Sequence, residues 1–252
     1  MFKKLLNPAE ERVKKLNRLD YYEIEAEEVN IFGNLREVCL SDNIISQIPK
    51  NTKTFIDVAC GDGYILYQLK NSKKHKVNLL CGVDLSQNRL IKTRKNINSE
   101  LVRSDLLNLP FKDNSFDTVL CSETIEHIKD YRKAIKELVR ISNRNIIITT
   151  PNEESLTIEK CPKCNHHFHL NDHINSFKSK VLKEEIEEET NANVKKIIKF
   201  HTVFSYNNKT IKLPVSLRIF LDRAIVSLSK YLPFFKPNYL LISVKKRKSQ
   251  IV

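Results

Sequence analysis

Between residues 53 and 152, short apolar segments alternate with segments of helical character, and this alternation constrains the fold more than any other feature. The apolar segments cover residues 53–60, 76–86, 115–123 and 144–152, with a shorter one starting at residue 99. Such runs are typical of strands that are buried on both faces. Helices are predicted between them at residues 64–71, 87–97 and 131–141. The alternation predicts an α/β fold, in which helices cover both faces of a parallel sheet.

The flanking regions have a different character. Residues 1–50 are charged and read as mainly helical, with the best helix candidate at 23–40. After residue 152 the rhythm breaks, and a helix at 178–190 and strands at 194–206 and 238–247 are predicted beyond the break. We expect one domain with four parts: an N-terminal helical segment (1–50), a core (53–152), an insert rich in Cys and His (153–180), and C-terminal helices with the last two strands (181–252). The apolar segment 213–235 is predicted to be a packed helix or substrate lid, with a membrane-surface helix as the alternative.

The composition limits the setting in which the chain works. Its 252 residues carry a net charge of +13, which favours nucleic acid, an anionic membrane surface or an acidic substrate without choosing between them. The six Cys are scattered rather than arranged as a disulfide framework, which predicts a reducing, cytoplasmic setting. No uncharged apolar run reaches about 18 residues, so no transmembrane segment is predicted.

The first predicted strand ends at Asp57 and enters a loop that holds two of the chain's four glycines, Gly61 and Gly63. A glycine loop between a strand and a helix commonly binds a nucleotide at the carboxyl edge of a sheet. Asp57 and Asp62 would repel a phosphate there, but they suit a ligand that is cationic on this side. S-adenosylmethionine has an ammonium and a sulfonium group at the corresponding end and no phosphate.

Acidic residues also follow the next two predicted strands. Asp84 ends the second strand, where a carboxylate can accept hydrogen bonds from ribose hydroxyls. Asp105 follows the third strand and can reach an adenine amino group, while Leu106 can pack on the ring. Since the carboxyl ends of parallel strands meet at one edge, these residues predict a single elongated site.

Four segments together resemble the class I S-adenosylmethionine-dependent methyltransferases: FIDVACGDGY, CGVDLS, RSDLLNLPFKDNSFDTVLCSETIEHI and NIIITTPN. The resemblance covers residues 53–152. It implies a Rossmann-like, mostly parallel sheet of seven strands whose last strand is antiparallel, and S-adenosylmethionine as the cofactor. One departure is Ala59, where the family most often has Gly. By this resemblance the cofactor-binding residues are Asp57, Ala59, Gly61, Gly63, Asp84, Leu85, Asp105, Leu106 and Ser122.

The segment SETIEHI after the fourth strand supplies the candidate catalytic residues Glu123 and His127. His127 would serve as a general base if the acceptor must lose a proton. A purely structural alternative is a helix start with acids near its N-terminus. The ExxEH pattern is also similar to metal-dependent small-RNA 2′-O-methyltransferases and to quinone-biosynthesis O-methyltransferases. That second resemblance implies a divalent cation held by Glu123, Glu126, His127 and His173.

The insert contains CPKCNHHFHLNDH, in which two Cys and two His can supply four ligands to a structural zinc ion. The predicted ligands are Cys161, Cys164, His169 and His173, spaced C-x2-C-x4-H-x3-H. The alternative is a surface loop with free thiols. Because the insert follows the fifth strand, we expect it to cover or shape the acceptor pocket. It is similar to inserts of methyltransferases from surface-polysaccharide and secondary-metabolite pathways, which implies a small-molecule or glycan acceptor.

These features together predict methyl transfer to oxygen or nitrogen of a small-molecule, glycan or lipid-linked acceptor. An RNA methyltransferase is the main alternative, favoured by the basic charge and the ExxEH pattern. A catalytically idle module that only binds S-adenosylmethionine is another, although the intact series of acids argues against it. Peripheral contact with an anionic membrane also stays open as an interaction.

Overall fold

The computed structural model describes residues 35–160, 165, 167–169, 171–200 and 237–247, together with residues 217, 221 and 224. Several predictions therefore lie outside the described residues. They concern the first 34 residues of the N-terminal segment, the two cysteines of the insert, and the segment 213–235 apart from its three described positions.

The described helices and strands follow the predicted alternation. The helices are α1 (Leu35–Gln47), α2 (Tyr64–Lys70), α3 (Gln87–Asn96), α4 (Tyr131–Ile141) and α5 (Ser179–Glu189), with a short 3-10 helix at Ile125–His127. The strands are β1 (Thr54–Val58), β2 (Leu79–Asp84), β3 (Glu100–Arg103), β4 (Phe116–Ser122), β5 (Ser142–Pro151), β6 (Ile158–Lys160), β7 (His167–His169), β8 (Ala192–Phe200) and β9 (Tyr239–Lys246).

Seven strands form one sheet in the order β3-β2-β1-β4-β5-β9-β8. Strands β1 to β5 pair in parallel, whereas β9 runs antiparallel to both of its neighbours, β5 and β8. The predicted Rossmann-like sheet, with its last strand antiparallel, is thereby confirmed. Strand order reverses at β1, which lies between β2 and β4, and a crevice opens at the carboxyl ends of the strands at such a point.

The central strands are apolar on both faces because helices cover both sides of the sheet. Phe55 and Ile56 are adjacent in β1, point to opposite faces, and are both fully buried. Asp130 is the N-cap of helix α4, and its side chain accepts a hydrogen bond from the Lys133 N–H. Ser86 caps helix α3 in the same way. These caps fix where each helix begins relative to the strand before it, and so shape the loops at the crevice.

Helix α1 and the insert differ from the sequence prediction for physical reasons. Helix α1 reaches Gln47, beyond the predicted end at residue 40, because Leu40 and Ile44 continue one buried helix face that Ile48 extends. The insert is also more regular than predicted, since β6 and β7 pair as an antiparallel two-stranded sheet. Within the described residues, no helix combines the length and apolar character needed to cross a membrane.

Three of the scattered cysteines, Cys60, Cys81 and Cys121, are buried and carry free thiols. They pack among apolar residues on the two faces of the sheet, as small buried hydrophobes. The side chain of Cys39 lies outside the description.

Candidate active site

An open cleft lies at the carboxyl edge of the sheet. Its wall includes most of the candidates from the sequence, namely Ala59, Gly61, Asp84, Leu85, Asp105, Leu106, Glu123 and His127. We call the part formed by Gly61, Asp84 and Asp105 the glycine-loop end. The part formed by Glu123, His127 and Asn171 is the insert end, because Asn171 belongs to the Cys/His insert.

Asp84 organises the glycine-loop end. One carboxylate oxygen accepts a hydrogen bond from the Gly61 N–H at 2.8 Å, and the other accepts from the Ser86 N–H at 2.9 Å. Burial raises the pKa of Asp84, while these two backbone donors and the charge of Arg89 oppose the rise. A carboxylate offers about four acceptor positions, so Asp84 can hold the loop and still accept from a ligand.

Asp62 forms ion pairs within the protein that the sequence did not indicate. Its buried carboxylate lies 3.8 Å from the Arg89 guanidinium and 3.7 Å from the Lys92 ammonium, both on α3. Two cations on the neighbouring helix therefore compensate its charge. Asp62 ties the loop to α3, and the argument for a cationic ligand rests on the other acids of the site.

The two glycines of the loop are required for partly different structural reasons. Gly61 and Gly63 both have positive φ angles, 55° and 80°, which favour glycine. A Cβ at Gly63 would lie 2.5 Å from the Cγ2 atom of Thr93 on α3, so Gly63 is needed for contact between loop and helix. The Thr93 hydroxyl donates to the Gly61 carbonyl at 2.8 Å. Gly63 thus shapes the loop without lining the cleft.

Asp57 is the next-to-last residue of β1 and does not itself line the cleft. It is 2% exposed, and burial together with the negative charge of Asp84 raises its pKa well above the usual value. A ligand with a positive charge at this end would favour the ionised form. Ser122, which like Asp57 and Gly63 is absent from the wall, shares a 2.8 Å hydrogen bond with the Thr149 hydroxyl at the end of β4.

At the far side of the glycine-loop end, Asp105 closes a tight turn by accepting from the Leu107 N–H at 2.9 Å. Its neighbour Leu106 is 6% exposed, with an apolar side chain at the cleft wall. A carboxylate beside an apolar surface suits a flat ring that carries an amino group.

Two non-glycine residues of the wall hold left-handed backbone conformations. Ala59 has φ 62° and Glu123 has φ 49°. The backbone of Glu123 is fixed there by its N–H, which donates to the Thr149 carbonyl at 3.0 Å. Such conformations are costly for residues with a Cβ and concentrate at functional sites. The value at Ala59 also explains why a glycine would suit this position.

His127 has a tautomer that its surroundings determine. Its Nδ1 lies 3.1 Å from the backbone carbonyl oxygen of Asp172. A carbonyl only accepts, so Nδ1 is the donor and Nε2 carries the lone pair of the neutral ring. The adjacent Glu126 is 1% exposed and accepts a hydrogen bond from the Thr150 hydroxyl at 3.1 Å.

The insert docks on the 3-10 helix that carries these residues. The N–H groups of Ile174 and Asn175 both donate to the Glu126 carbonyl, at 2.9 and 3.0 Å. This contact brings His173 to Glu126 and His127, so that one potential ligand atom of each lies within 4.8 Å of the others. Glu123, the remaining member of the set implied by the second resemblance, is not part of this group.

A second group of three consists of Glu154, His169 and His173, again within 4.8 Å. Cys161 and Cys164 lie outside the described residues, so the zinc site stays a prediction. Glu154 was missed by sequence reasoning, as were Thr150, Arg89 and Asn171. An acid shortly after TTPN was the available signal for Glu154, but nothing in the sequence indicated that it would meet the histidines of the insert.

The comparisons with known proteins agree with this geometry. Residues 56–147 match a family model described as "Methyltransferase domain". Over 96 residues the chain is 35% identical to a demethylmenaquinone methyltransferase of Staphylococcus saprophyticus, covering 36% of this chain and 41% of that protein. Over 136 residues it is 29% identical to an uncharacterised protein of Methanocaldococcus jannaschii, covering 52% and 57%. The chain therefore spans only about half the length of these curated relatives.

Among solved structures, an S-adenosylmethionine-dependent methyltransferase of Thermotoga maritima superposes with a TM-score of 0.61. The match covers 90% of this chain and 98% of the other at 17% identity, which is evidence for the fold. The fold, the matched core and the position of the cleft agree with the resemblance found in the sequence. Residues 56–147 match the methyltransferase-domain family, and the described sheet has the class I fold of the S-adenosylmethionine-dependent methyltransferases.

Proposed function

We propose that this protein transfers a methyl group from S-adenosylmethionine to oxygen or nitrogen of a small-molecule acceptor. The observation that carries the proposal is the arrangement of the cleft. Gly61, Asp84 and Asp105, from three successive strand ends, form one wall, and Glu123 and His127 lie beside them. These acids favour a ligand without phosphate groups at the glycine-loop end.

The residues fit S-adenosylmethionine in three respects. Asp84 has acceptor capacity left for the ribose hydroxyls after its two backbone hydrogen bonds. Asp105 and Leu106 present a carboxylate and an apolar surface to an aminated ring. Burial and Asp84 raise the pKa of Asp57, and an ammonium group bound at this end would favour its ionised form.

The proposed catalytic roles belong to residues at the insert end of the cleft. When bound, S-adenosylmethionine supplies a methyl group activated by the sulfonium. Glu123 and His127 line the cleft where the acceptor would enter. The Nε2 lone pair of His127 can accept the proton that a hydroxyl or amine loses as the new bond to carbon forms, because Nδ1 already donates to Asp172. Holding the two reactants in line supplies much of the remaining rate enhancement.

The acceptor class is supported by the relatives rather than by a visible pocket feature. The Staphylococcus saprophyticus protein bears the name of an enzyme acting on demethylmenaquinone, a small molecule. We therefore propose a small-molecule acceptor. Glycan and lipid-linked acceptors are tested in the same experiment. The cytoplasm is the proposed setting, and RNA is the alternative acceptor.

A transfer experiment tests both the activity and the acceptor class. The full chain would be incubated with methyl-labelled S-adenosylmethionine and cell extract, which is then separated into RNA, lipid, glycan and small-molecule fractions. Label that is bound to oxygen or nitrogen in the small-molecule, glycan or lipid fraction supports the proposal. Label confined to RNA contradicts the acceptor class. The variant Asp84→Ala is the matched control and should give background label in all fractions.

A divalent cation at the insert end is a second candidate feature of the same reaction. The observation that favours it is the approach of Glu126, His127 and His173 within 4.8 Å, since two imidazoles and a carboxylate suit metals such as zinc, iron or manganese. Such a cation would orient acceptor hydroxyls and make them more acidic. Removal of metal with EDTA should then abolish transfer, and one added divalent metal should restore it. Full activity of the metal-free protein would contradict this candidate.

A further inference from the structure

The insert contains a chain of three polar side chains that ends at His173, whose ring packs against the cleft residue His127. His169, Glu154 and His173 are largely shielded from solvent, with side chains 7%, 22% and 10% exposed. The rings of His169 and His173 stack with their centroids 5.1 Å apart and their planes at 21°. None of the roles proposed above requires Glu154, although it contacts both rings.

The tautomer of His169 follows from its backbone contacts. The N–H groups of Asn171 and His173 both point at its Nδ1, at 3.3 and 3.2 Å. Nδ1 must therefore carry the lone pair, and in the neutral ring the proton is on Nε2. That nitrogen lies 3.9 Å from a carboxylate oxygen of Glu154. A ring that already uses its one lone pair in this way has none to offer a metal ion, so His169 is a poor ligand in this arrangement.

His173 has the opposite tautomer. Its Nδ1 contacts the other carboxylate oxygen of Glu154 directly. An ionised carboxylate only accepts, so Nδ1 carries the proton and the lone pair of the neutral ring is on Nε2. His127 is fixed in the same tautomer by the Asp172 carbonyl, and its ring meets that of His173 at 4.7 Å and 75°.

We propose that Glu154 is a positioning residue for methyl transfer: it holds His173, whose ring packs against the cleft residue His127, with the Nε2 lone pair of His173 available. The inference rests on the proposed function for its effect on rate, but its structural content is independent of that function. It also separates the two histidines that the sequence assigned to one zinc site. His173 keeps a lone pair on Nε2, whereas the lone pair of His169 accepts from two backbone N–H groups.

The role of Glu154 resembles that of carboxylates that orient histidines in metal and proton-transfer sites, whose loss typically costs about 10- to 100-fold in affinity or activity. The other anchors of the segment leave the ring orientation of His173 undetermined. Asn175 donates from its side chain to the Ile128 carbonyl at 2.8 Å, and the Ser176 hydroxyl donates to the Glu154 carbonyl at 2.7 Å. These contacts fix the backbone, so Glu154 is the side chain that selects the nitrogen.

The test measures the protonation of each imidazole nitrogen by ¹⁵N NMR on the full chain at about pH 8, where an ordinary histidine is neutral. The signals of His173 are assigned by their loss in His173→Gln. We expect the proton on Nδ1 in the wild-type protein and a shift of the proton toward Nε2 in Glu154→Ala. Glu154→Gln, whose amide oxygen still accepts, should retain the wild-type tautomer, and Glu159→Ala, which removes an exposed acid of the same insert, should change nothing.

Kinetics give the second readout. Glu154→Ala should lower kcat by about 10-fold or more with an unchanged KM for S-adenosylmethionine, and Glu154→Gln should recover most of the loss. A wild-type His173 protonated on Nε2, or the same tautomer in wild type and Glu154→Ala, would overturn the proposal. Unchanged folding of Glu154→Ala is checked by its circular dichroism. If the protein proves to have no methyltransferase activity, the tautomer result still decides the structural claim.

Discussion

The glycine-loop end and the insert end of the cleft are built from different kinds of sequence information. At the glycine-loop end, each candidate residue lies at the end of a strand or shortly after it, so its position in the chain determines its position at the sheet edge. At the insert end, His127 and His173 meet although they are 46 positions apart, and their contact depends on how the insert docks on the 3-10 helix. A parallel sheet therefore specifies the first end locally, while the second depends on a loop placed by tertiary contacts.

This difference predicts that the two ends respond separately to substitution. Changes at the glycine-loop end should reduce cofactor binding, while changes at the insert end should reduce the rate with cofactor binding intact. A variant that moved both quantities together would break the distinction. The predictions below are arranged by the size of the expected effect.

The largest effect is expected for His127→Gln at the insert end. Loss of a general base costs about 100- to 10,000-fold in rate, because the Nε2 lone pair of His127 would no longer take the proton from the acceptor. Affinity for S-adenosylmethionine, measured by calorimetry, should stay within about twofold of wild type. Lys129→Gln, an exposed neighbour, serves as the control and should keep full activity. An unchanged rate in His127→Gln would show that the acceptor needs no base.

Asp84→Ala should weaken binding of S-adenosylmethionine by about 100-fold, since hydrogen bonds to a charged group contribute about 1.5–3 kcal/mol each. Two backbone donors, those of Gly61 and Ser86, lose their acceptor, and the ribose loses its partner. Calorimetry is the measurement. The control Asp113→Asn removes charge from an acid whose side chain is 68% exposed, and its affinity should match wild type. Equal affinity in Asp84→Ala would break the assignment of the glycine-loop end.

Gly63→Ala should lower the free energy of unfolding by about 2 kcal/mol or more. A left-handed residue with a Cβ costs about 1–2 kcal/mol, and the new Cβ would lie 2.5 Å from Thr93 Cγ2. Chemical denaturation measures the loss. The double variant with Thr93→Ser removes the crowded methyl group and should recover part of it, whereas additive losses would contradict the contact as the cause.

Asp57→Asn should raise the melting temperature of the ligand-free protein at pH 7 and weaken S-adenosylmethionine binding. The folded pKa of Asp57 is raised above its unfolded value, so its contribution to stability is lost as pH rises from the unfolded pKa through the folded one. The neutral amide avoids that loss. An increase of about 2–4 °C would correspond to about 1 kcal/mol. A stability difference between wild type and Asp57→Asn that does not change as pH rises from about 4 would contradict the cause.

The smallest effect is expected for Ala59→Gly. The φ of 62° strains alanine but not glycine, and the relief is partly offset by the greater freedom of glycine in the unfolded chain. We expect a gain of at most about 1 kcal/mol in the free energy of unfolding and no loss of cofactor affinity. A clear destabilisation would indicate that the alanine methyl group makes a contact that outweighs the strain.

The sequence predicted the sheet, because the buried strands have a clear apolar pattern and the acids follow them directly. It also identified Asp84, Asp105 and Leu106 as neighbours in one site. It did not predict that Asp62 is compensated by Arg89 and Lys92, because the loop and α3 meet only in the folded protein. The assignment of both His169 and His173 to one zinc site used spacing alone, and spacing does not reveal which ring nitrogen keeps its lone pair.

The role of Glu154 lay beyond sequence reasoning for the same reason. Its contact with His173 spans 19 positions and depends on the turn between β7 and α5, whose backbone donors select the tautomer of His169. Periodicity carries no information about such a turn. Sequence patterns are therefore most informative where regular elements place the residues, and least informative where an irregular segment does so.

The central claim is that the cleft at the strand ends binds S-adenosylmethionine through its line of carboxylates. Calorimetric titration of the full chain with S-adenosylmethionine, and in parallel with NAD, tests it most directly. The account predicts saturable binding of one S-adenosylmethionine per chain and no detectable binding of the pyrophosphate-containing NAD. Absence of S-adenosylmethionine binding by the folded protein, or tighter binding of NAD, would contradict it.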